Sequence, residues 1–317
     1  MPDGDATLWP GHDATSPRRI PRDGWKQIGK RIWKEVGDDH VPLLAAGLAF
    51  YGLLAIFPTL IAAVTIYGLL ADPATVREQI QSVFGSVSGG TAQVVNEQLT
   101  SIVTSSSRAL TWGLVLSLLA ALWTASTGVL NLIKSINIVY DEQETRNFFK
   151  QRALAFVFAL GAIVFFLLAV TLVAVLPSVM GLVGLEGTTR VLIDILRWPV
   201  LVLLLMAALG VVYRMGPDRR SPRARWVSWG SAVAIVIWLL ASWGFSYYVQ
   251  NFGSYNETYG SLGGVIILLM WFYLTGFSIL LGAEINSEIE LQTGVDSTVG
   301  EPRPRGERGA VKADEIP

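Results

Sequence analysis

Long stretches without a charged side chain decide most of what this chain can become. They run over residues 41–71, 109–133, 153–185, 198–213, 226–256 and 258–283. About 20 apolar residues in a helix rising ~1.5 Å per residue cross a hydrocarbon core of about 30 Å. Most of these blocks exceed that length. The fourth is short unless it begins near Val191, which brings in Asp194 and Arg197. Those two stand three apart on one helical face and can pair near the membrane boundary. The predicted fold is all-α: a polytopic membrane helical bundle with about six spans, at residues 42–70, 109–133, 153–177, 191–213, 226–250 and 262–284.

Composition agrees with that class and removes several others. Charged residues make up 15% of the 317 residues and hydrophobic ones 52%, whereas a soluble domain carries roughly a quarter charged. A formal net charge of −1 supplies no overall basic surface for nucleic acid, and no nucleic-acid partner is expected. The absence of cysteine excludes disulfides and thiol chemistry. The two histidines, His12 and His40, do not make a metal site, and none is expected. Walker A, GxGxxG, HExxH and GxSxG patterns are absent, so the chain reads as a non-enzyme without a cofactor.

Residues 1–22 and 293–317, polar and without apolar period, read as disordered tails flanking one membrane domain at 23–292. Just inside the first tail, Trp25, Ile28, Ile32, Trp33 and Val36 share a helical face opposite lysines. That pattern predicts an amphipathic helix lying on the membrane surface or packing on the ends of the spans. Residues 72–108 carry two further apolar faces, Val76–Ile80–Val83–Phe84 and Val94–Val95–Leu99–Ile102–Val103, which predict two short amphipathic helices in the first outer loop. Six spans place 20 of the 24 basic residues on one side with both termini. The positive-inside rule therefore predicts cytoplasmic N- and C-termini.

Polar residues within or bordering spans are the functional candidates, because each needs a partner where water is scarce. Thr124, Ser126 and Thr127 can bond to carbonyls of their own helix, while Asn131 is harder to account for that way. Glu284, in the run GAEIN at 282–286, closes the sixth span. It either pairs with an arginine at the wet boundary or belongs to a substrate or proton pathway. Asn286 and Asp39 complete the candidate set. Ala45, Ala49, Gly47 and Gly52 in the first span, with Gly276 and Gly282 in the last, suit close helix packing.

At this point the residues resemble a known family. Residues 39–58, DHVPLLAAGLAFYGLLAIFP, are similar to the opening of the YihY/virulence factor BrkB family. LWTAS at 122–126, NIVY at 137–140, Tyr213-Arg214, YGSLG at 259–263 and GAEIN follow in the family's order. Trp229 stands where that family's pattern has proline before Gly230. The resemblance implies a multi-pass bacterial inner-membrane protein without an agreed molecular activity. A ribonuclease label attached to the family implies phosphodiester hydrolysis, which needs a metal cluster or a water-facing His/carboxylate set that these two histidines do not supply. The resemblance also implies a lipid or other amphipathic small molecule as substrate. Transport or flipping of such a molecule is the leading expectation, and a non-transporting envelope scaffold is the alternative. Homo-oligomerisation is left open.

Overall fold

In the computed structural model, residues 9–70, 107–182, 187–251 and 261–317 are described. After a short 3-10 turn at Pro17–Arg19, α1 (Arg22–Asp38) and α2 (Val41–Leu70) meet at an angle of 59°. The corner is made by His40, whose φ of 54° lies in the left-handed region, a conformation that ends a helix and that histidine tolerates better than most side chains. α3 (Ser107–Val139) follows, then α4 (Phe148–Val170), which a π-helical turn at Thr171–Val175 links to α5 (Leu176–Leu182). α4 starts where the Asn147 side chain accepts the Lys150 N–H at 2.9 Å, an N-cap satisfying one of the free amides of a helix's first turn. The chain continues through α6 (Thr188–Met215), α7 (Ala224–Asn251) and α8 (Ser261–Leu291) to a terminal turn, α9 (Val311–Asp314).

The described residues contain no strand, only one isolated bridge between Pro222 and Thr298. Five helices are long and apolar enough to cross a membrane, namely α3, α4 with its π turn, α6, α7 and α8. α1 and α2 to Ile56, bent at their corner, make a sixth candidate when the pair is counted as one span. Asp194 and Arg197 of α6 form the expected ion pair at 3.3 Å, so these two charges offset one another within the helix. The helices expected within residues 72–106 lie outside the described residues.

α8 is central: it packs against α2 and α7, and α2 packs in turn against α3. Small residues set these distances. Ala45 and Ala49 are fully buried, a Cβ on Gly276 would stand 3.4 Å from the Ala45 carbonyl oxygen, and one on Gly52 would press on the Phe272 ring. Gly47 takes no part, since nothing lies within 4 Å of its would-be Cβ.

Both tails, the α3–α4 turn and the α6–α7 loop meet at one end of the bundle, here called the base. α1 packs there rather than projecting free: Ile28 is buried with Ile20, Ala14, Trp226 and Ile289, while Lys26 and Lys34 face outward. The expectation of disorder is corrected for residues 9–21 and 293–317. Thr293 Oγ1 donates to the Ala14 carbonyl at 2.6 Å, and Gly294 N–H donates to that of His12 at 2.8 Å. Arg308 spans the Gly294 and Ala313 carbonyls, each at 2.7 Å. Polar contacts of this kind leave no apolar period to read.

Candidate functional site

The last turns of α8 concentrate the candidate chemistry. Glu284 and Glu288 are four apart and so share a face, while Asn286 and Glu290 point elsewhere around the same helix. All four side chains are buried. α8 reaches this position through close contact with α7 and α6. Asn286 Oδ1 accepts the Gly230 N–H at 2.8 Å, and the Tyr213 hydroxyl donates to the Ile279 carbonyl at 2.7 Å.

Two of the carboxylates are fully engaged. Glu288 receives Arg31 Nε of α1 at 2.5 Å and Lys312 Nζ of α9 at 3.2 Å; Lys312 also reaches Asp141 at 2.8 Å. Burial works against the Lys312 charge, yet Glu288 and Asp141 outweigh it and hold the ammonium above its ordinary range. Glu290 takes both oxygens to Arg219 Nη2, at 2.8 and 2.6 Å, and also accepts the Ser297 hydroxyl. The Arg219 guanidinium stacks 4.8 Å from the Tyr140 ring.

Glu284 differs from both. Its carboxylate is 0% exposed, and neither oxygen accepts a hydrogen bond from any protein donor among the described residues. The arginine pairing considered for it goes instead to Glu288 and Glu290. Its strongest electrostatic neighbours are mostly acidic, with Asp39, Glu288 and Glu35 opposed by Lys312. The Tyr140 hydroxyl and Asn286 Nδ2 are buried close to one another, within reach of Glu284's charge, and neither makes a well-aligned hydrogen bond. The Glu284 carboxylate is conspicuous among these groups, because a buried acceptor is usually paired. A carboxylate acceptor beside a hydroxyl and an amide can hold a proton or a cationic group.

Of the four sequence candidates, Asp39 acts on Glu284, and Asn286 and Glu284 both act on Tyr140, whereas Asn131 turns back on its own helix. Its Nδ2 returns to the Thr127 carbonyl at 2.9 Å within α3. Thr124, Ser126 and Thr127 also bond to carbonyls of their own helix. Ser126 and Thr127 additionally accept Arg152 Nη1, each at 3.1 Å, and that arginine lies 4.1 Å from the Trp123 ring. Arg31, Arg219 and Lys312 were not legible as partners, lying 257, 71 and 24 positions from the glutamates they meet. The four-residue step from Glu284 to Glu288 was the one readable sign. Among the described residues no three His, Asp or Glu side chains converge to hold a metal ion.

Asp39, at the α1–α2 corner, sits at about 6, raised first by burial and then by Asp141, with Glu35 and Asp38 adding to Asp141 and Lys312 opposing. An aspartate unfolded near ~3.9 and folded near about 6 binds its proton more tightly in the folded protein. Its favourable contribution is thus complete below about 4 and lost as pH rises through 6. Asp39→Asn is accordingly expected to raise the melting temperature at neutral pH and to flatten the stability profile across that window. Melting curves of both purified proteins from about pH 4 to 8 check this, and parallel profiles would refute it.

A helical bundle with buried, interlocked charge at one end and an unsatisfied carboxylate beside it defines a polytopic membrane protein with a polar base. The chain belongs to the family described as virulence factor BrkB, which it matches over residues 32–307. It is 34% identical over 254 residues to the ribonuclease-like protein YfkH of Bacillus subtilis, covering 77% of this chain and 88% of that one. UPF0761 membrane proteins of Alteromonas mediterranea and Cronobacter sakazakii are each 28% identical to it. These cover 81% and 86% of this chain, and 85% and 91% of their own lengths. No solved structure matches the chain.

Proposed function

We propose that the protein moves an amphipathic envelope molecule, such as a lipid, across or within the bacterial inner membrane, with Glu284 as the group that takes up a proton or a cationic moiety during the cycle. Glu284 carries the reading. A carboxylate stripped of water and given no protein donor is costly to keep, and ionisable groups of that kind inside membrane bundles serve ion and substrate pathways. The base is taken to face the cytoplasm because 20 of the 24 basic residues gather there, as the positive-inside rule requires. No catalytic residue is assigned, and the ribonuclease-like name stays with the relative that bears it.

The test is translocation of fluorescent phosphatidylglycerol in proteoliposomes. Glu284→Gln, isosteric and neutral, is expected to reduce movement to the protein-free background while remaining monodisperse in detergent. Asn131→Ala, which loses only a bond within its own helix, is expected to match wild type. Glu288 is no neutral control, because it holds Arg31 and Lys312. Wild-type transport by Glu284→Gln would remove the residue from the pathway. Failure of the wild-type protein itself to move lipid would favour a second reading, an envelope scaffold, which the latching of the two tails to one another and, through Lys312, to α8 supports.

A further inference from the structure

A second site lies away from Glu284, on the outer flank of the bundle. A groove of about 680 Å³ lies between α6 and α7. Leu203, Met206 and Val211 of α6 form much of its wall, and Arg214, Ser221 and Ser228 stand at its base end. The wall is open to the side: Leu203 is 60% exposed, Val211 47% and Met215 52%. From Leu203 to Arg214 the helix rises roughly 16 Å, about half of a ~30 Å hydrocarbon core and so the depth of one leaflet.

The arginine at the end of this wall is uncommitted. Arg219 is paired with Glu290, while Arg220 and Arg223 donate to the carbonyls of Glu301 and Thr298. Arg214 makes no hydrogen bond or ion pair among the described residues. The C-terminal turn of a helix favours a cation in general, which accounts for an arginine at that point of α6. It does not account for an apolar channel that ends on the guanidinium. Gly210 keeps the channel open, since a Cβ there would meet nothing nearer than Ser231 Oγ at 3.9 Å.

We propose that the α6–α7 groove binds an anionic phospholipid, with an acyl chain along the Leu203–Val211 wall and the phosphate on Arg214. Charge complementarity selects an anionic occupant, and an apolar wall one leaflet deep selects one bearing acyl chains rather than a free anion. Phosphate oxygens accept the guanidinium's paired donors, and the hydroxyl of Ser221 adds a donor at the same level. The site is independent of Glu284: it binds lipid whether or not the chain moves it.

Native mass spectrometry of the full chain, equilibrated with equal amounts of phosphatidylglycerol and phosphatidylcholine, tests this. The wild-type protein is expected to retain the anionic lipid preferentially and to melt at a higher temperature when it is added, since a ligand that binds only the folded state stabilises it. Arg214→Gln should abolish the preference, and Gly210→Leu, which fills the groove, should reduce retention of both lipids. Neither change should lower the melting temperature in lipid-free detergent. Arg225→Gln, an exposed arginine outside the groove, should leave the preference intact. Equal retention of the two lipids by wild type, a preference surviving Arg214→Gln, or displacement of the lipid by millimolar inorganic phosphate would overturn the proposal. So would a dimer that Gly210→Leu converts to monomer at constant lipid, because the groove would then belong to a second copy of the chain.

Discussion

Gly230→Leu is expected to yield no monodisperse protein at all, and Gly230→Ala to melt far below wild type. A Cβ on Gly230 would stand 2.1 Å from the carbonyl oxygen of Gly282 and 2.4 Å from Asn286 Cγ. Reciprocally, one on Gly282 would stand 2.5 Å from the Tyr213 hydroxyl and 2.6 Å from Ala234 Cβ. Overpacking a core costs about 1–3 kcal/mol when side chains can rotate away. Here the obstacle is a helix backbone, so relief requires α7 and α8 to separate. Separation breaks the Gly230–Asn286 and Tyr213–Ile279 hydrogen bonds and exposes the buried glutamates that α8 carries. Gly244 and Gly264 serve as controls, because nothing lies within 4 Å of a Cβ at either position and alanine should be tolerated there. Size-exclusion profiles of the detergent-solubilised variants decide the matter. A monodisperse Gly230→Ala with wild-type melting would show that the helices do not meet at this contact.

The spans were readable because a membrane helix announces itself through length and absence of charge, with no long-range information needed. α6 illustrates the limit of that signal. Its apolar block is short, and the helix Thr188–Met215 is recovered only by pairing Asp194 with Arg197. Glu284 was legible as a lone acid closing a span, and its depth along α8 followed from counting residues. Its lack of a partner was not legible, because that depends on which acid captures each distant cation: Arg31 and Lys312 go to Glu288, and Arg219 to Glu290. The order in the tails was missed for a related reason. Residues 9–21 and 293–317 are held by single polar contacts and a few small buried side chains such as Ala14 and Ala313, and such contacts leave no period in composition. Lys312 shows the consequence, as an apparently solvated tail residue that is the second cation on Glu288.

Arg219→Met is expected to destabilise the protein by about 3–5 kcal/mol, the usual cost of removing one partner from a buried ion pair. Both side chains are essentially inaccessible, at 0% and 2% exposure. Without the guanidinium, Glu290 would keep Ser297 as a donor and face an uncompensated charge, while Tyr140 would lose the cation stacked on its ring. The penalty lies mainly in the stranded partner and not in the lost attraction, since a buried pair often does no better than apolar residues of similar volume. The double variant Arg219→Met/Glu290→Met should therefore recover most of the loss, which distinguishes stranded charge from simple loss of packing. If the pair also pins the α6–α7 loop to α8, protease cleavage within residues 216–223 should accelerate in the single variant and return toward wild type in the double one. Melting curves of the two single variants and the double variant form a complete mutant cycle. A double variant no more stable than Arg219→Met alone would mean that packing around Tyr140, rather than charge balance, is what Arg219 contributes to the base.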